Sequence, residues 1–156
     1  MIELVFVIVI IGILAAVAIP KLSATRDDAK ISNIIANART VLGDMTSFYT
    51  AKGSKYWINT ATIDEVTTVI IDASCSGVQA TTSVVTGPIL LCDENGGTAC
   101  ITVTPDANGT VVNFAAVAAG TSMICDGVVA APAIVGLTGG EGQNKDHKLG
   151  GASVIH

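Results

Sequence analysis

The sequence predicts an α+β protein in which half of a long N-terminal helix projects and half packs on a small antiparallel β-sheet. Three observations carry that prediction. An apolar N-terminal run passes directly into an amphipathic helical repeat that ends near residue 53. The text after it switches to short Val-, Ile- and Thr-rich runs between clusters of Gly, Pro, Asn and Asp. All four cysteines fall in that second part. Three segments result: an apolar helix over residues 1–22 suited to a membrane or a filament core, its amphipathic continuation over 23–53, and a disulfide-containing β-rich domain over 54–156.

Residues 4–19 hold sixteen positions without a charged or strongly polar side chain. At about 1.5 Å rise per residue they make a helix of roughly 24 Å, slightly short of a ~30 Å hydrocarbon core. Ile2 and Glu3 extend it at one end, and Lys21 is placed to snorkel at the other. Glu3 is the anomaly, because a carboxylate held within a bilayer costs on the order of 2.5–3.5 kcal/mol and calls for a partner. The plainer alternative is a favourable interaction with the helix dipole, of about 0.3–1 kcal/mol. Gly12 and Pro20 interrupt the run; Gly12 permits close helix packing and Pro20 removes a backbone donor. No basic stretch and no small-residue cleavage site precede the apolar run, so it does not read as an ordinary signal peptide. Either a leader has been removed or the chain begins at its mature end.

From Ile31 the apolar positions Ile31, Ile34, Ile35, Ala38, Val41, Leu42, Met45, Phe48 and Tyr49 recur at i, i+3, i+4, i+7 spacing. That commits one helix face to a core. Gly53 is the expected C-cap, with Lys52 and Lys55 complementing the dipole. A helix over residues 1–53 would be roughly 80 Å long, more than a domain of the remaining length can cover, so half of it must project. Phe48, Tyr49, Tyr56 and Trp57 gather at its end as anchors for the domain.

Thr62 and Glu65 have capping-box spacing and open a short helix expected to run to about Ile71. Residues 78–86, 88–93, 100–104 and 110–116 read as strands. The turns between them are marked by Gly87-Pro88, Asn95-Gly96-Gly97 and the 105–109 cluster. Residues 126–137 fit either a short helix or a turn broken at Pro132. The tail is polar and glycine-rich until residues 152–155, a candidate edge strand. An even cysteine count with no zinc or haem spacing points to two disulfides and an oxidising compartment. Of three possible connectivities, a three-residue loop at 95–97 favours Cys92 with Cys100, leaving Cys75 for Cys125.

Charge divides unevenly: residues 1–55 carry +2 and residues 56–156 carry −7. An acidic domain repels phosphate backbones, so direct nucleic-acid binding is not expected. No nucleophile elbow, phosphate-binding loop or zinc-protease motif occurs, and the chain is read as neither an enzyme nor a cofactor carrier. Asp106 and Asn108 resemble a fragment of a calcium loop without its other ligands, and an ordinary Asx-rich turn is the better reading. Asp93-Glu94-Asn95 reads the same way, and His147 and His156 read as solvated tail residues.

The string IELVFVIVIIGILAAVAIPKL, with an acidic residue ahead of an unbroken apolar run, then Gly12, then Ala-Ile-Pro, resembles a bacterial type IV pilin. The resemblance is specific over about the first 25 residues. The next 30 match in pattern, and the rest matches in architecture. It implies a structural subunit held in the cytoplasmic membrane as a single-pass precursor. A prepilin peptidase would process and N-methylate it, and pilus assembly machinery would polymerise it into an extracellular filament for adhesion or twitching motility. It further implies that Glu3 pairs with a neighbouring subunit's N-terminal ammonium and that the helix loosens between Gly12 and Pro20. The string opens Met1-Ile2-Glu3, without the Phe-Thr usual ahead of it in that family. A major pseudopilin of a type II secretion system shares the same string; four cysteines and a poor calcium loop weigh against it. A monomeric membrane-anchored binding protein is the rival from another class, and it leaves Glu3 without a purpose.

Overall fold

The computed structural model describes residues 2–72, 74–93, 97–118, 120 and 122–150. One helix, α1, runs unbroken over Ile2–Lys52, 51 residues. Two short helices follow, α2 over Ser54–Asn59 and α3 over Ile63–Val66. Strands β1 (Ile89–Cys92), β2 (Ala99–Pro105) and β3 (Val111–Ala116) come next. Helices α4 (Met123–Ala130) and α5 (Pro132–Thr138) precede a last strand, β4 (Asn144–Lys148). The four strands form one antiparallel sheet in sequence order. The fold is α+β, as the sequence predicts.

The core lies between one face of the sheet and the second half of α1. Ile34, Ala38, Val41 and Met45 are buried, and Ile31, Ile35, Leu42, Phe48 and Tyr49 pack partly buried around them. Residues three and four apart share a helix face, so the apolar stripe read in the sequence is the face that docks. Burying each of Ile34, Val41 and Met45 stabilises the fold by about 1.5–3 kcal/mol. On the sheet, Ile89, Leu91, Ile101, Val103, Val112 and Phe114 supply the facing side chains. Helix α4 packs beside α1, and Gly127 permits the approach: a Cβ there would lie 2.4 Å from Ile31 Cδ1.

At the end of α1 the chain turns sharply at Gly53, whose N–H donates to Tyr49 O and whose φ of 81° suits glycine. Trp57 on α2 is fully buried, with the rings of Phe48 and Tyr49 at 6.3 and 5.9 Å. The aromatic group is a set of core anchors. Gly109 closes the β2–β3 turn with its N–H on Asp106 O, at φ 67°. A Cβ there would sit 2.7 Å from Trp57 Cδ1 and 2.9 Å from Ile58 Cγ1. Left-handed strain and overpacking against a rigid buried ring act together, so Gly109→Ala should destabilise the domain by roughly 2–4 kcal/mol. Urea unfolding of the variant measures it; an unchanged midpoint would contradict this packing.

Several expectations need correction. Residues 78–86 do not form a strand. Their extended contact is a bridge of Ser83 with Thr62, and Gln79 and Ala80 bond instead to residues 67 and 71. The helix at Thr62 stops at Val66, and the Thr62 side chain makes no capping bond. Thr67 then turns its hydroxyl to Asp44 Oδ2 at 2.7 Å, tying this segment to α1. Residues 126–137 resolve into α4 and α5, separated at Ala131 with Pro132 opening the second helix. The final strand is β4, where its five polar residues pair with β3; the 152–155 segment lies outside the described residues, as do Glu94, Asn95 and His156.

The disulfides also differ from the expected pairing. Cys75 joins Cys92, and Cys100 joins Cys125. The register explains why Cys92 and Cys100 do not meet. Leu91 faces Ile101 and Cys92 faces Ala99, so Cys100 is the extra residue of a bulge. It is buried on the face covered by α4, where Cys125 waits. Cys92 remains half-exposed at the end of β1, within reach of the loop that carries Cys75.

Candidate functional site: the projecting helix and the clamped loop

Two features stand out as candidates. The first is the free half of α1. Its side chains from Ile2 to Ile19 are all exposed; Leu4, Phe6, Ile13, Leu14, Val17 and Ile19 each show more than 60% of their surface. By length and composition this helix is able to cross a membrane, and none of its apolar window is covered by the rest of the chain. An apolar surface that encircles a helix cannot remain in water. It requires lipid or other apolar helices around it.

Within this surface Glu3 is exposed in the first turn and has no ion-pair partner among the described residues. The α1 helix is continuous through both Gly12 and Pro20. A Cβ at Gly12 would meet nothing within 4 Å, so the isolated chain gives no steric reason for glycine there. Glycine in a helix interior costs about 1 kcal/mol relative to alanine. Glu3 and Gly12 thus share a property: among the described residues, neither meets a group that would account for it. The structure brings Glu3, Gly12 and Pro20 onto one helix, where Glu3 and Gly12 are exposed.

The second feature is the segment between α3 and β1, clamped by Asp72. Its carboxylate accepts from the backbone N–H and the hydroxyl of both Ser74 and Ser76. Asp72 also exchanges two backbone bonds with Leu90 of β1, at 3.3 and 2.9 Å. Between the two serines sits Cys75, at φ 56° and bonded to Cys92. This loop and residues Asn33 and Asn37 of α1 border a groove of about 620 Å³. The sequence reading passed over Asp72, although an Asp followed at two and four residues by Ser is the composition of an Asx turn.

The Ser76 hydroxyl, with the Ser74 N–H next, holds the Asp72 carboxyl well below its ordinary value of 3.8. The unfolded chain therefore takes up a proton before the folded one as pH falls. The stability Asp72 supplies is complete above about pH 5 and is lost progressively as pH drops through and below 3.8. Thermal melts at pH 6 and pH 2.5 should show Asp72→Asn losing less stability on acidification than the wild type. Equal losses would contradict the assignment.

His147 and Lys145 were not legible as structural residues. His147 Nε2 donates to Leu137 O at 2.7 Å and its ring meets Phe114 edge-on; Lys145 Nζ donates to Gly136 O at 2.9 Å. Both close the carbonyl end of α5 from β4, so His147 is a half-buried capping group and not a solvated tail residue.

No protein-family model, curated protein or solved structure matches the chain.

Proposed function

We propose that the chain is the structural subunit of a type IV pilus, polymerising through the free half of α1 into an extracellular helical filament. The observation that carries this reading is a helix apolar on every side over residues 4–19, continuous with a half that is built into a domain. Such a helix is a plug for a bundle of its own copies. Before assembly it resides in the cytoplasmic membrane, where a prepilin peptidase processes it and assembly machinery withdraws it. Moving it from lipid into a helix bundle changes apolar burial little. Side-chain packing and paired charges then decide the register.

Glu3 supplies that charge. Its proposed partner is the N-terminal ammonium of the neighbouring subunit. A subunit in the wrong register leaves both groups unpaired in an apolar medium, which is strongly unfavourable. Gly12 and Pro20 allow the helix to loosen where copies crowd together. A heterologous interface that does not close generates a fibre. Adhesion, motility or surface interaction would be the filament's use.

Electron microscopy of material sheared from cells producing the chain tests this. Filaments containing the chain are expected. A chain that stays monomeric in the membrane, under conditions where the assembly machinery is active, would establish the membrane-anchored binding protein instead. Loss of thermal stability on calcium chelation but not on disulfide reduction would favour the secretion pseudopilin.

A further inference from the structure

The two disulfides occupy different environments. Cys100 and Cys125 are 0% and 1% exposed and lie between β2 and α4. Cys75 and Cys92 are both half-exposed and both line the groove beside α1. Two carboxylates, Asp72 and Asp93, line the same groove. Asp72 is engaged by Ser74 and Ser76, and Asp93 accepts from the Ser122 hydroxyl at 2.8 Å. Asp93 adjoins Cys92 and Asp72 lies two residues before Ser74, which flanks Cys75; among the described residues no lysine or arginine lines the groove.

We propose that Cys75–Cys92 is a thiol–disulfide exchange site, selective for small cationic thiols, while Cys100–Cys125 is a permanent cross-link. Exchange requires a thiolate to reach a sulfur along the S–S axis, and only the groove disulfide offers an approach from solvent. The entering thiolate bonds to one cysteine sulfur, the S–S bond breaks, and the other cysteine leaves as a thiolate that takes a proton from water. A second thiolate attacks the reagent's sulfur in the resulting mixed disulfide, the bond to the cysteine breaks, and this cysteine leaves as a thiolate that also takes a proton, giving two cysteine thiols and an oxidised dimer of the reagent. The protein disulfide is reduced by two electrons and the two thiols are oxidised. The carboxylates repel an anionic thiol and attract one bearing an ammonium group, an effect that salt screens.

The fold around the site is built to survive the exchange. The paired backbone bonds between Asp72 and Leu90 hold the loop on the sheet, and the bonds of Gln79 to residues 67 and 71 close the loop on itself, both without the disulfide. The site does not depend on filament formation, so its test and that of the pilus reading fail separately.

The experiment uses the full chain in detergent micelles at low salt, exposed to cysteamine, 2-mercaptoethanol or glutathione at matched thiolate concentration. Samples are alkylated at intervals and the labelled peptides are quantified by mass spectrometry, with circular dichroism recorded alongside. Cys75 and Cys92 should label at least ten-fold faster than Cys100 and Cys125, with the circular dichroism spectrum unchanged. Cysteamine should act several-fold faster than glutathione, with the difference shrinking in 0.5 M salt. Simultaneous opening of both disulfides, or Cys100–Cys125 opening first, would overturn the site assignment. Glutathione matching cysteamine at low salt would overturn the selectivity.

Discussion

Glu3→Ala should abolish filaments, with at least a ten-fold loss of sheared polymer, while the chain continues to insert in the membrane. Removing the carboxylate makes residues 2–19 uniformly apolar, so insertion becomes easier by up to about 2.5–3.5 kcal/mol. On the proposed reading, what disappears is the charge that fixes one subunit's axial position against the next. Glu3→Gln keeps the shape without the charge and should behave like Glu3→Ala, whereas Glu3→Asp should retain partial assembly. Membrane fractionation followed by shearing and immunoblotting separates the two steps. Normal filament yield from Glu3→Ala would remove the pairing from the account and leave Glu3 as an N-terminal dipole contact.

The second large effect is expected at the buried disulfide. Replacing Cys100 and Cys125 together by Ser should lower the stability of the domain by roughly 3–5 kcal/mol. About 3 kcal/mol of this comes from the freed loop, and the rest from two hydroxyls placed where water cannot reach them. Their sequence separation of 25 residues spans β2, β3 and the start of α4. Losing that cross-link releases α4, and α4 also packs beside α1 at Gly127. The Cys75→Ser, Cys92→Ser pair should cost about 1–3 kcal/mol, because its half-exposed hydroxyls stay hydrated. Thermal melts of the two double variants measure the difference. A larger loss from the groove pair than from the buried pair would contradict the burial argument.

How much of this was legible depended on whether a residue's role is written in its own neighbourhood. The face of α1 that enters the core was legible, since Ile34, Ala38, Val41 and Met45 repeat with the helix and nothing else has that period. The projection of the other half followed from length alone. Strands β1, β2 and β3 were legible because their apolar residues alternate between turn signals. Strand β4 was not: Asn144, Lys145, Asp146, His147 and Lys148 offer no apolar alternation, and the strand exists because β3 presents a free edge. Its charges suit an edge that must not recruit another strand.

The cysteine pairing failed for a reason of register. A single extra residue at Cys100 reverses which face that side chain occupies, and no local feature announces a bulge. The stretch at 78–86 failed because its β-like composition found only one short extended partner, at Thr62. Of the candidate site, Glu3, Gly12 and Pro20 were visible as breaks in an otherwise apolar run. Asp72 was overlooked because its importance rests on four donors that only the folded loop assembles.

On the proposed reading, residues 2–19 serve as a plug among copies of themselves. Helical reconstruction by electron microscopy of filaments sheared from producing cells tests it most directly. The expected result is a rod whose axis is a bundle of α1 helices, with Glu3 of each subunit within ion-pair distance of a neighbouring N-terminus and the acidic domains outside. A chain found only as a monomer in the membrane, or a filament built from domain contacts with residues 2–19 outside its core, would contradict it.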